Sequence, residues 1–360
     1  MPHSQFKAML AITKGSLRSI FRNPSAVVFN LLFPLIFIIV FGFIGGGSYG
    51  VDIAIDKASD TNNPLYETIK KIPALRINQS ISDKDVRSEL SKGNLDGLIN
   101  IQKVGNSYVL DVTTSSASVQ RGEILKYILK DVIEGQNKLS NKINTDAIQL
   151  KEEVVEGRKY KTIDFILPGQ LGFSLLSAGV FGTAFTFLSL RQTLVLKRFY
   201  ATPIKRIYIV VGEGLSRLIF SLFSAVIIVA IGHLVFGFTL INGFVTFINI
   251  LVLSTIALMV FLGFGFVVSG IAKNENSVPA IANLITLPQF LLAGTFFPIN
   301  NFPSWLQPIS KALPLTYLNE ALRKVSFEGA SLGDVYIDIL ILLAWGVVNY
   351  AIASRVFKWE

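Results

Sequence analysis

The stretch from Leu218 to Ala272 contains no Asp, Glu, Lys or Arg. A helix needs about 20 apolar residues to cross the hydrocarbon core of a membrane. This stretch is more than twice that long, so it has to turn. "FGFTLINGF" (Phe236 to Phe244) is the Gly-rich, partly polar point near its middle. That places one span from about Ile207 to Phe236 and another from about Val245 to Ile271. The same search for charge-free stretches gives a first span at 23–48 and a second at about Phe165 to Leu190. It gives a fifth span at about Val278 to Phe297, and a sixth is read at about Val335 to Arg355, an apolar run that includes Asp338. Half of the residues are apolar and 28 are Phe, a composition outside the range of soluble domains. The predicted fold class is an all-α polytopic membrane protein with six transmembrane helices, plus a small α/β extracytoplasmic domain after the first span. A cleaved signal peptide is the other reading of residues 14–48. The length of the apolar part and the lack of a clean small-x-small cleavage signal favour an uncleaved anchor.

The net charge is +9. The cations sit at the ends of the apolar runs rather than on a face with base-stacking aromatics, which argues against nucleic acid. "LVLKRFYATPIKR" (Leu194 to Arg206) carries Lys197, Arg198, Lys205 and Arg206, with Arg191 just upstream and no acid. The N-terminal segment has Lys7, Lys14, Arg18 and Arg22, whereas the Phe236–Phe244 turn has no cation. Short loops rich in Lys and Arg stay in the cytoplasm. Both termini and the 191–206 loop are therefore expected inside, in a bacterial cytoplasmic membrane. The chain has no cysteine, which excludes disulfides, thiolate metal sites and a Cys nucleophile. His3 and His233, the two histidines, cannot build a His-rich metal site.

Residues 49–160 have ordinary soluble composition. "VDIAIDK" alternates as a strand does. "NPLYETIKKIPAL" reads as a helix with Asn63 near its cap, and "RINQSIS" as a further strand. "SDKDVRSELSKGN" reads as a helix capped by Ser82. "LDGLINIQK" and "SYVLDVTT" flank Gly105-Asn106 as a hairpin. A long polar helix from about Ser118 to Glu153 is expected to return the chain to the membrane. The acids Asp52, Asp56, Asp83, Asp85, Asp96 and Asp111 are scattered and read as a solvated surface.

Residues 1–22 form a predicted amphipathic helix. Phe6, Leu10, Thr13, Leu17 and Ile20 share one face beside a stripe of Lys7, Lys14, Arg18 and Arg22, so the helix is expected in the cytoplasmic headgroup layer. Glu213 and Arg217 lie four residues apart inside a span, where ionisable groups are costly and usually paired. They read as an intramembrane ion pair, or as a contact to a partner or the substrate path. Residues 298–330 are broken by Pro298, Pro303, Pro308 and Pro314 and read as short re-entrant helices on the outer side. No Gly precedes a Lys, so there is no phosphate-binding Walker loop. No catalytic triad or zinc-protease motif is present either. The chain is expected to bind no cofactor or metal and to have no catalytic residue of its own.

These residues resemble a known family. "RSIFRNPSAVVFNLLFPLIFIIVFG", "YKTIDFILPGQL", "LKRFYATPIKRIYIVVGEGLSRL" and "LAGTFFPINNFPSWLQPISKALPLTYLNEALR" are similar, in the right order, to the membrane subunit of type-2 ATP-binding-cassette exporters. The resemblance implies a permease powered by separate ATPase subunits, which hold the ATP and Mg, and paired with itself or a sister permease. The 191–206 loop would be the ATPase-coupling loop, with Lys197, Arg198, Phe199, Tyr200, Thr202, Pro203 and Arg206 as contact candidates. The translocation path would run along spans two and five, here Phe173, Leu176, Phe181, Phe185, Leu287, Phe290 and Leu291. An apolar lining suits a drug, lipid or peptide cargo; the alternative is that these side chains face lipid or other helices. A secondary carrier without ATP, or a receptor sensing through the outer domain, are the rival functions.

Overall fold

A computed structural model describes residues 5–22, 24–44, 50–78, 83–104, 107–139, 148–155, 161–200 and 203–357. Its contacts divide the chain into two units, Met1–Gly45 with Thr162–Glu360, and Gly46–Lys161.

The first unit is helical. Its elements are α1 (Gln5–Phe21) and α2 (Pro24–Ile44), then, after the second unit's α3 to α5, α6 (Thr162–Gln192), α7 (Val195–Tyr200), α8 (Arg206–Phe236), α9 (Phe244–Ile271), α10 (Ser277–Leu292), α11 (Gln307–Ala312), α12 (Pro314–Arg323) and α13 (Tyr336–Val356). Among the described residues, α6, α8, α9 and α13 are long and apolar enough to cross a membrane. The apolar part of α2, Asn30–Val40, and α10 are shorter. The expected turn follows α8, where Gly237 takes a left-handed φ of 68° and Phe238 N donates to Gly232 O at 2.9 Å. Asp164 of α6 accepts from Thr239 N at 2.8 Å and holds that turn.

Helices α6 and α9 pack through small residues. A Cβ at Gly265 would lie 2.5 Å from Thr183 Cβ and 2.6 Å from Gly179 O, so the backbones touch where no side chain fits. Pro34 stands inside α2 and has no N–H for the carbonyl of Asn30. Ser174 of α6 supplies the replacement: its Oγ lies 3.2 Å from Asn30 O and 2.8 Å from Asn30 Oδ1.

The second unit is a five-stranded sheet with helices. Its elements are β1 (Val51–Ile55), α3 (Pro64–Lys70), β2 (Leu75–Ile77), α4 (Asp83–Lys92), β3 (Gly97–Val104), β4 (Ser107–Ser115), α5 (Val119–Leu139) and β5 (Ile148–Val155). The order is β2-β1-β3-β4-β5, antiparallel only between β3 and β4. Asn63 caps α3 by accepting from Tyr66 N at 2.8 Å. One core lies between the sheet and α3 and α5, with Ile53, Ile69, Ile99, Leu110 and Leu125 fully buried. A Cβ at Gly97 would overlap Leu125, so that glycine lets α5 settle on the sheet.

One expectation fails here. The helix from Ser118 to Glu153 ends at Leu139, and 148–155 is strand β5 alongside β4. Without it β4 would present a row of unpaired backbone groups, and satisfying that edge outweighs the local helix pattern. Leu150 packs against the core while Lys151 and Glu153 are exposed. The expected cap Ser82 and turn Gly105-Asn106 lie outside the described residues.

Candidate functional site

The loop between α6 and α8 begins with a change of direction. Leu194 takes φ 60°, the left-handed region, after Thr193 Oγ1 has bonded back to Ser189 O at 2.7 Å. Helix α7 follows, and both Lys197 and Arg198 on it are exposed. Pro203 is exposed, and Lys205 and Arg206, also exposed, open α8. Thr202 lies outside the described residues, as do the side chains of Phe199 and Tyr200. Arg191 is engaged: its Nη2 donates to Ala272 O at 2.7 Å, tying the end of α6 to the end of α9.

Helix α1 is docked on α8. Gly212 makes this possible, since a Cβ there would meet Met9 O at 3.0 Å and Ile12 Cγ2 at 3.1 Å. Thr13 Oγ1 sits 3.1 Å from Gly212 O, and Ser16 Oγ donates to Glu213 Oε1. Met9 and Thr13 are buried, while Phe6, Leu10 and Phe21 remain exposed with Lys14, Arg18 and Arg22. The predicted apolar face is therefore rotated: the side against α8 is Met9–Thr13–Ser16. Gln5 reaches the loop itself. Its Nε2 donates to Pro203 O at 2.6 Å, and its Oε1 accepts from Lys205 N at 3.0 Å.

Glu213 and Arg217 do lie one turn apart on α8, but each turns to a different helix. Glu213 accepts from Ser16 of α1, and Arg217 Nη2 donates to Thr186 Oγ1 of α6. Gly182 makes room for the guanidinium, which any side chain at that position would overlap. Arg217 Nε has no hydrogen-bond partner among the described residues. These contacts link α1 through α8 to α6, and the Glu213 and Arg217 charges also act on each other.

The path candidates divide. Phe173, Leu176 and Phe290 are buried in the core. The Phe173 and Phe290 rings lie 3.9 Å apart at 37°, within a cluster that includes Phe33, Phe37 and Phe296. Phe181 is half-buried, and Phe185, Leu287 and Leu291 are exposed. Phe33 and Phe37 of α2 pack against Phe173 and Phe290, and of the seven candidates only the last four offer surface beyond the chain's own core.

The Pro-rich segment is short helices, as expected, and Arg323 at its end is a staple. Its Nη2 donates to Phe165 O at 3.0 Å and to Gly294 O at 2.5 Å, and the guanidinium stands 3.7 Å over the Phe165 ring. Asn319 Nδ2 donates to Ala293 O at 3.0 Å, and Gln289 Oε1 accepts from Leu315 N at 3.3 Å. Lys324 bridges Glu320 at 2.9 Å and Asp338 at 3.0 Å, joining the segment to α13. Sequence reasoning missed Gln5, Ser16, Gly182, Thr186, Gln289 and Asn319. For Asn319 the visible signal was its place one turn before Arg323; nothing local marked Gln289, since α10 carries no charge.

The chain is 22% identical over 257 residues to the probable multidrug ABC transporter permease YbhR of Escherichia coli K12, covering 69% of this chain and 67% of that protein. It is 24% identical over 189 residues to the linearmycin resistance permease protein LnrN of Bacillus subtilis, covering 52% of this chain and 48% of that protein. It is 26% identical over 208 residues to nodulation protein J of Rhizobium meliloti, covering 57% and 76%. The sequence family described as ABC-2 family transporter protein matches residues 24–355. The chain therefore belongs to the ABC-2 family of transporter proteins, as a multi-pass membrane subunit for efflux.

Proposed function

We propose that this chain is the permease of an exporter whose ATP and Mg are held by separate ATPase subunits docking at the loop of α7. The carrying observation is the loop's chemistry: Lys197 and Arg198 stand exposed on a short helix between two long apolar ones. A cationic projection of this kind suits an acidic cleft, and family membership supplies the reason for an ATPase to own one. In this reading α2 and α10 also cross the membrane, giving six spans with both termini and the loop in the cytoplasm. Residues 49–160 then lie outside. Two permeases pair, and cargo moves outward along α6 and α10. Phe181, Phe185, Leu287 and Leu291, the path residues with surface to offer, suit an apolar or amphipathic cargo. The relatives named for multidrug and linearmycin resistance fit such a cargo.

The test is a pull-down of tagged protein in mild detergent, with an ATPase assay of what accompanies it. A variant combining Lys197→Glu, Arg198→Glu and Arg206→Glu is run beside it. The expected result is an ATPase that co-purifies with the native chain and is lost from the still-folded variant. An ATPase retained at full yield by that variant removes the loop as the docking site.

A further inference from the structure

We propose that Gln5 is a positioning residue that holds the basic loop in the shape its ATPase partner recognises. The inference rests on docking at that loop, the reading given above.

Both ends of one carboxamide are committed to the loop backbone. Nε2 donates to Pro203 O at 2.6 Å and Oε1 accepts from Lys205 N at 3.0 Å. These two bonds flank Ile204, at the point where the loop becomes α8. A helix start leaves backbone N–H groups without helical partners, and they are usually met by a capping side chain. Lys205, extended at φ −71° and ψ 139°, supplies no such cap to α8. Gln5 reaches its backbone from 200 residues away in sequence.

The arm that carries Gln5 is itself fixed. Thr13 bonds Gly212 O at 3.1 Å, Ser16 bonds Glu213, and the Gly212 contact brings the two helix backbones together. Phe21 adds ring contacts to Phe220 and Phe223 at 5.5 and 6.1 Å. Helix α1 is thus seated against α8 along its length, and Gln5 is the fingertip that closes on the loop. Lys197 and Arg198 stand exposed on the other side of the Pro203 break. A loop already held in its bound shape does not lose conformational freedom when it docks, and affinity rises accordingly.

The test uses the full chain in lipid nanodiscs with the ATPase subunit that co-purifies with it. Gln5→Ala, Gln5→Glu and the pair Lys197→Glu with Arg198→Glu are compared by titrating the ATPase and reading hydrolysis. Gln5→Ala should raise the half-saturating ATPase concentration about tenfold, the order expected for losing two hydrogen bonds, and leave turnover at saturation and melting temperature unchanged. Gln5→Glu keeps an acceptor for Lys205 N–H but sets a second acceptor against Pro203 O, so it should weaken docking at least as far. The chain has no native cysteine, so spin labels on Leu10→Cys and Lys197→Cys can report the arm-to-loop distance. That distribution should broaden when Gln5→Ala is added. Should Gln5→Ala dock at native strength, or the distribution stay narrow, while the charge-reversed pair loses docking, the clamp is refuted and loop docking stands. Native docking by the charge-reversed pair as well removes the docking reading, and this inference with it.

Discussion

Asp96 lies immediately before β3 with a side chain only 1% exposed. Its Oδ2 accepts from Asp52 N at 2.9 Å and stands 3.6 Å from Arg121 Nη1. Burial pushes its carboxyl above the usual range, and the Asp52 N–H and the Arg121 guanidinium offset only part of that. Asp52 is raised too, by burial first and then by the negative charge of Asp96. A carboxyl raised on folding favours the folded state while protonated. Its contribution is therefore full below the ordinary value of about 3.9 and is lost as pH rises through the raised value. Hydrogen exchange of the β1 and β3 amides, corrected for intrinsic rates, should show this unit loosening as pH rises from 4 to 8, and Asp96→Asn should flatten the slope. Arg323 makes a contrasting case. Changing it to Ala strips donors from Phe165 O and Gly294 O, at a cost of about 2–4 kcal/mol in thermal unfolding. Arg323→Lys should recover little, because an ammonium cannot hold both carbonyls and the Phe165 face at once.

Among elements, α2 and α6 show what a sequence can and cannot display. Pro34 inside an apolar run is visible at once, and so is the carbonyl it leaves open at Asn30. The residue that answers it, Ser174, is 144 positions away and one of many serines, and nothing local marks it. A double-mutant cycle on Pro34→Ala and Ser174→Ala should return coupling of about 1 kcal/mol, because Ser174 matters most where the proline has removed a donor. Strict additivity would show that Ser174 serves only the Asn30 side chain. The same limit explains β5. Its alternation is weak and its helix propensity fair, so only the open edge of β4 decides the outcome. Helix boundaries were legible because charges and Pro-Gly points bound the apolar runs. Contacts between helices were not, because a polar residue's partner is fixed by packing angle and depth.

At the scale of the whole molecule, the helices and the separate sheet unit follow from charge-free lengths and the composition of residues 49–160. The basic loop could be located from its cations alone. The arm that grips it could not, since Gln5 reads as one more polar residue near the chain start. The path candidates were chosen by type and position, and burial, which depends on packing, divides them: Phe173, Leu176 and Phe290 are buried in the core. One further property follows from α10, which has only 16 residues. At 1.5 Å per residue it rises about 24 Å, against about 30 Å of hydrocarbon. As a span it would pull the surrounding leaflets inward, so this protein should favour a thin bilayer. Reconstituted transport should be fastest in short-chain phosphatidylcholine and fall as the acyl chains lengthen, which makes membrane thickness a setting on the rate of transport.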